Sequence, residues 1–267
     1  MDNYILIDGR YYCFYRYFAL LNWWKMAHDE EQLSIPFENE LFVEKFKSTF
    51  IDKIKEIPKK LKIKGAKIIV AKDCPRQDIW RVDYMEEYKA TRIYDDTIMG
   101  GPFFKLAYEE LFPSIEGINI VYNKNLEADD CIAISSKCIN EINKDANIYI
   151  VASDTDYLQL LKPNLYIYTL KYKELKESKT YQGDPEKYLF CKILMGDKSD
   201  NIKGVFNKCG PKMAEKLWQD EEYLKEKLKD DEYEKKYNLN KRLISFSEIP
   251  NELIRDFVKV NLDKIKS

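Results

Sequence analysis

The sequence predicts an α/β fold, a central, mostly parallel sheet flanked by helices, and three observations carry that prediction. Five short apolar runs rich in branched and aromatic residues recur along the chain, the stretches between them have helical spacing, and strand signals stop after about Tyr181. The runs are Tyr4 to Ile7, Ile68 to Ala71, Ile118 to Tyr122, Ile148 to Ala152 and Leu165 to Leu170, each of strand length. They are near-continuously apolar rather than alternating, as strands of a parallel sheet covered on both faces must be. Between the first two runs, Phe42, Phe46, Phe50, Ile54 and Ile57 share one helix face. Between the third and fourth, Ile132, Ser135, Ser136, Ile139 and Ile142 do the same. Beyond Tyr181 the pattern reads as helical apart from turns, so residues 1–180 are expected to form the α/β core and 181–267 a helical subdomain.

Composition narrows the classes. At 31.8 kDa and 45% hydrophobic content the chain can build a sizeable core. No apolar run approaches the roughly 18 residues of a membrane span, and the start MDNYILIDGR is acidic where a secretory signal would be basic. A cytoplasmic protein without membrane contact is expected, in a host cytoplasm if the source is a virus. Cys13, Cys74, Cys131, Cys138, Cys191 and Cys209 form no C-x-x-C pair, and His28 is the single histidine, which argues against zinc, disulfides and a histidine-dependent triad. The formal net charge of -2 does not by itself point to nucleic acid.

The acids are placed unevenly. Read alone, Glu127, Asp129 and Asp130 in LEADDCIA are an acidic first helical turn, favourable at the positive end of the helix dipole. In an open parallel sheet, however, ligands bind beyond the carboxyl ends of the strands. There the sequence sets Asp8 after YILI, Asp73 after IIVAK, and Asp154 and Asp156 after IYIVAS. Asp197 and Asp200 in MGDKSDNIKGV add a further pair. Carboxylates so crowded repel one another, so they either stand apart in solvent or share a cation. An all-oxygen set of nine acids suits hard divalent ions, Mg2+ or Mn2+, in the arrangement used for two-metal phosphodiester hydrolysis. Setting those nine aside from 46 acidic residues leaves 37 against 44 basic ones, so the acidic total does not exclude a nucleic-acid partner.

The order of motifs (D-G after the first strand, D before a segment with Y-K-x-x-R, then E-A-D-D, S-D-x-D, G-D-x-x-D-N-I-x-G-V and G-P-K-x-A) resembles the flap endonuclease and 5′-3′ exonuclease family. That family includes the 5′ nuclease domain of bacterial DNA polymerase I and phage 5′ nucleases, some named ribonuclease H. The likeness runs from Asp8 to about Leu217, with a phage-like echo in YNLNKRLISFSEIP. It implies a PIN-like core, a helical arch at about 76–105 and a helix-hairpin-helix-type element in the C-terminal subdomain. It implies two or more Mg2+ or Mn2+ ions on Asp8, Asp73, Glu127, Asp129, Asp154 and Asp156, with Asp130, Asp197 and Asp200 as further members of the cluster.

The resemblance also assigns Lys89 and Arg92 to the basic pair over the active site, where i,i+3 spacing on a helix would let both hold the scissile phosphate. Arg76 and Arg81, interleaved with Trp80, Tyr84 and Tyr88, give the mixture of charge and stacking surface used for single strands, although Trp80 and Tyr84 serve equally well as core. Phe14, six residues after Asp8, matches an aromatic that stacks beside the cut. Lys203, Lys208, Gly210 and Lys212 fall in NIKGVFNKCGPKMAEKL, where turn amides and a helix N-terminus would hold duplex phosphates. Family members often bind K+ there; the extra residue and the missing second glycine in Phe206 to Gly210 count against that site. The implied substrates are DNA with a 5′ flap, nick or 5′ end, and RNA primers paired to DNA, cut by a monomer. The rivals are a PIN-type ribonuclease and a catalytically inactive nucleic-acid-binding scaffold.

Overall fold

The computed structural model describes residues 2–28, 33–91, 99–178 and 181–267. In chain order these form β1 (Asn3–Asp8), α1 (Gly9–Ala27), α2 (Glu40–Lys60), β2 (Ala66–Ala71), α3 (Gly101–Leu106), β3 (Ile118–Val121) and α4 (Ala128–Ile142). Then come β4 (Asn147–Val151), β5 (Leu165–Tyr168), α5 (Pro185–Met195), α6 (Pro211–Gln219), α7 (Glu221–Lys227), α8 (Asp231–Ile244) and α9 (Asn251–Lys266). All five expected strands are present, within two residues of their sequence bounds, and every pairing is parallel.

The strand order is β3-β2-β1-β4-β5. The chain therefore builds outward from β1 on one side and then crosses to the other, which puts the reversal between β1 and β4. At such a reversal the loops leaving adjacent strands diverge and open a crevice. Side chains of β1 alternate between two cores, because successive residues of a strand face opposite sides. Ile5 and Ile7 join Phe42, Phe46, Phe50 and Phe103 beneath α1 and α2. Tyr4 and Leu6 join Ile132, Ile139, Phe257 and Ile265 beneath α4 and α9. The apolar face read along α2 (Phe42, Phe46, Phe50, Ile54 and Ile57) is fully buried.

The last helix does not stay with the other C-terminal ones. Asn261 of α9 is wholly buried and bonded to both backbone groups of Tyr122, donating to the carbonyl at 3.1 Å and accepting from the amide at 3.4 Å. That pairing satisfies two polar groups where β3 ends, and so pins α9 to the sheet. The helices α5 to α8 pack on smaller clusters; one of these joins Cys74, Ile79 and Tyr88 to Ile193, Ile202, Leu243 and Ile244. The segment after β2 is thereby sandwiched between the sheet and the C-terminal helices.

The helical arch expected at 76–105 is not formed as such among the described residues. Residues 76–91 are short 3-10 segments and turns, α3 is the one α-helix, and 92–98 lie outside the described residues. At the start of α1, a Cβ on Gly9 would lie 2.3 Å from the Tyr108 hydroxyl and 2.7 Å from the Ala71 carbonyl. Gly9→Ala should destabilise the protein by about 1–3 kcal/mol, as overpacking does. Urea denaturation checks this; unchanged stability would mean that the contact is looser than the geometry implies.

Candidate metal centre

Four chain segments deliver carboxylates to the crevice at the β1/β4 reversal. Asp8 ends β1, Asp73 follows β2, Glu127 and Asp129 open α4, and Asp154 follows β4; all five line one cavity of about 1090 Å³. Each is fixed locally. Asp8 caps α1, accepting from the Tyr11 amide at 2.9 Å, and also accepts from the Tyr157 hydroxyl at 3.2 Å. Asp73 accepts from the Ala128 amide at 2.8 Å, which ties the end of β2 to the first turn of α4. Asp154 caps the turn after β4 by accepting from the Asp156 amide at 2.9 Å. The same cavity is also lined by Arg10, Phe14, Lys72, Arg76, Lys89, Phe104 and Tyr108.

Two groups of acids each bring ligand atoms within 4.8 Å of one another: Glu127, Asp129 and Asp130, and Asp156, Asp197 and Asp200. Lysines stand among both. Lys89 contacts Glu127 and reaches Asp200 at 3.7 Å. Lys192, on α5, contacts Asp156 and lies 2.9 Å from Asp197. Tyr88 links the groups by donating to Glu127 at 3.0 Å or Asp200 at 3.1 Å.

The acids divide by whether nearby cations outweigh burial and repulsion. Burial, then repulsion from Asp73, pushes the Asp8 carboxyl up to about 7. Burial and the neighbouring Glu127 likewise raise Asp73, and burial with Glu127 and Asp130 raises Asp129. Glu127 is as buried, yet Lys89 and Arg81 outweigh that cost and hold it below the usual range. Asp197 is held at about 2, because Lys192 and the Ser199 donors overcome its burial. Three carboxyls in one crevice resist ionisation because burial and mutual repulsion outweigh the cations near them. An all-oxygen donor set without histidine fits a hard divalent cation.

Several expected residues fall elsewhere. Arg81, expected to contact nucleic acid, is 2% exposed. It donates to both Asp130 oxygens at 2.7 and 2.8 Å, to Glu127 at 3.0 Å and to the Leu243 carbonyl at 2.7 Å. Four of its five N–H groups are taken within the protein, and its burial keeps the fifth from a phosphate. Asp130, expected in the acid cluster, is wholly buried, accepts from Trp80 at 3.0 Å as well, and does not line the crevice. It is the anion of a buried ion pair. Trp80 is core at 3% exposure. Lys89 sits in a turn with φ 56°, so the helix face it was to share with Arg92 does not exist there; Arg92 itself lies outside the described residues. Phe14 and Arg76 do line the crevice, Phe14 packing on Phe104 with ring centroids 4.6 Å apart. Lys203, Lys208 and Lys212 are exposed, and Gly210 with Pro211 opens α6 as the sequence suggests.

Sequence reasoning missed Lys192, Tyr157, Phe104 and Tyr108. None belongs to a local motif; Tyr108 lies in a single π-helical turn, Ala107–Leu111, that no periodicity signals.

Fold and crevice together define a parallel α/β protein with an acidic, all-oxygen centre at its topological reversal. Residues 3–188 match the family described as 5′-3′ exonuclease, N-terminal resolvase-like domain, and the chain belongs to that family. It is 32% identical over 218 residues to a 5′-3′ exonuclease of Mycoplasmopsis pulmonis, covering 76% of this chain and 62% of that protein. It is 27% identical over 263 residues to ribonuclease H of Enterobacteria phage T4, covering 90% and 84%. A flap endonuclease of bacteriophage T5, solved in complex with DNA and metal ions, shares the fold with a TM-score of 0.68 at 16% identity over 100% of both chains.

Two outcomes are expected of metal-free protein. Asp130→Ala strands a buried guanidinium and should cost about 3–5 kcal/mol, whereas Asp129→Ala relieves repulsion and should leave stability unchanged or higher. Equal losses in chemical denaturation would contradict the division between ion pair and open acid. The second concerns pH. A carboxyl raised from 3.8 to about 7 contributes stability that is complete below the unfolded value and is lost as pH climbs through about 7. Melting temperature without metal should therefore fall from about pH 4 to 7 and level off above that, and Asp8→Asn should flatten the decline. A melting temperature that rises across that interval counts against the raised Asp8.

Proposed function

We propose that the chain is a metal-dependent 5′ nuclease, a 5′-3′ exonuclease and flap endonuclease that hydrolyses phosphodiester bonds of DNA and of RNA primers paired to DNA. The observation that carries this reading is the crevice: five carboxylates from four segments, three of them held up in pKa by burial and mutual repulsion. Asp8, Asp73, Glu127, Asp129 and Asp154 would hold one part of a Mg2+ or Mn2+ pair, and Asp156, Asp197 and Asp200 the other. Bound divalent ions supply an activated water and stabilisation of the leaving oxygen.

The chain's own groups supply the rest. Lys89 and Arg76 at the crevice present positive charge to a phosphodiester, and Lys89 has to leave Glu127 to do so. Phe14 and Phe104 offer an aromatic wall for an unpaired base. The Tyr157 hydroxyl and the Tyr11 amide hold Asp8 with one face toward the crevice. Exposed Lys203, Lys208 and Lys212, around the N-terminus of α6, would hold duplex phosphates away from the cut. On this reading residues 181–267 are the DNA-binding part of a cytoplasmic monomer, with α9 returned to the sheet. The presence in the sequence of every acid the family motif calls for supports this reading over an inactive scaffold.

The test is digestion of 5′-labelled flap, nicked, RNA-primed and single-stranded substrates with Mg2+, Mn2+ or EDTA. Cleavage should require Mg2+ or Mn2+, and Asp154→Ala should abolish it while DNA affinity stays near the parent's. Replacing Lys208 and Lys212 should instead weaken binding and reduce the slope of log K against log salt by about 0.9 per lost contact. Cutting that survives EDTA, or full activity in Asp154→Ala, overturns the reading.

A further inference from the structure

A second cavity, of about 190 Å³, opens on the far side of α1 from the crevice, between α1, α2 and the chain after β5. Its lining includes Tyr12, Arg16, Lys53, Glu56, Lys60 and Tyr172, three cations to one carboxylate. Lys53 already engages both oxygens of Glu56, at 2.9 and 3.0 Å. Arg16 and Lys60 are therefore left as the excess charge.

Arg16 is held ready rather than spent. Its guanidinium lies 4.7 Å over the Tyr15 ring and 5.9 Å from the Tyr12 ring, while the Tyr12 hydroxyl is fixed to the Phe50 carbonyl at 2.6 Å. Stacking orients a guanidinium and leaves its N–H edge for an acceptor. The Arg16 Nε is nonetheless buried without a hydrogen-bond acceptor among the described residues. A buried donor left unpaired costs free energy, so a small turn of the guanidinium toward an acceptor in the cavity would be favourable.

The cavity also shares a wall with the metal crevice. Tyr11 lines the crevice and its hydroxyl accepts from the amide of Leu170, which lines the second cavity. An anion in the second cavity would sit one helix width from the acids.

We propose that Arg16, Lys60 and Tyr172 form an anion subsite for a phosphate group, outside the metal centre and separated from it by α1. Planar, fixed Arg donors beside a Lys point charge are the pairing that phosphate oxygens select, and the volume admits a phosphate group. The phosphate comes either from the backbone of a bound nucleic acid or from a free phosphate or nucleoside 5′-monophosphate. The backbone source rests on the nuclease reading; the site itself does not.

The test uses the full chain and Arg16→Gln/Lys60→Gln, with Lys60→Gln alone as an exposed change that leaves the stacked arginine in place. Thermal shift in EDTA, with inorganic phosphate or a nucleoside 5′-monophosphate at constant ionic strength, reads the site without metal. The parent should be stabilised; the double variant should lose that stabilisation and Lys60→Gln part of it. A salt titration of DNA binding then separates the sources. A slope reduced by about 1.8 in the double variant assigns the site to backbone phosphates, and an unchanged slope with the thermal shift lost assigns it to free phosphate. Parent and double variant alike in both measurements overturn the proposal. Metal-dependent cleavage by the parent, measured separately, reports on the nuclease reading, so the two can fail independently.

Discussion

Mutual repulsion among carboxylates at one edge of the sheet is the constraint on which the rest of this structure turns. A parallel sheet with its reversal between β1 and β4 sends the loops after β1, β2 and β4 and the start of α4 to the same place, and each brings an acid. Backbone amides and the Tyr157 hydroxyl hold Asp8, Asp73 and Asp154 in that place at distances of 2.8 to 3.2 Å. These bonds are too weak to cancel the charge, and burial together with the repulsion that remains raises Asp8, Asp73 and Asp129.

The protein meets part of that charge from within. Arg81 is buried against Asp130 and Glu127, and its bond to the Leu243 carbonyl carries the same network to the end of α8. A buried pair of this kind contributes little net stability, but loss of either partner is costly. Its position explains why the segment after β2 is fixed between sheet and C-terminal helices. Lys89 and Lys192 differ from Arg81 in being flexible point charges, suited to yielding their places when a stronger cation or a phosphodiester arrives.

The fold was largely legible in the sequence, because continuous apolar strands and the Phe42-to-Ile57 stripe report burial directly. The acids were legible for the same reason: a charge at the end of a buried strand has one edge to go to. What the sequence concealed was charge pairing across long separations. Arg81 reads as a basic residue among aromatics, and only folding shows that Asp130 and Glu127, some 46 to 49 residues away, take all of its charge. Lys89 misled for a local reason. Its spacing to Arg92 suits a helix, but the chain bends there into a positive-φ turn that helical periodicity does not report. Lys192 lay unnoticed on α5 because its partners, Asp156 and Asp197, come from different motifs.

The central claim is that burial and repulsion oppose ionisation of the crevice carboxyls, Asp8 above all, and that a divalent cation converts them to ligands. Calorimetric titration of Mn2+ at pH 7, repeated in buffers of different ionisation enthalpy, counts the protons released on binding. The account predicts saturable binding accompanied by proton release, with a smaller release in Asp8→Asn. Binding without any proton release, or no binding at millimolar Mn2+, would contradict it.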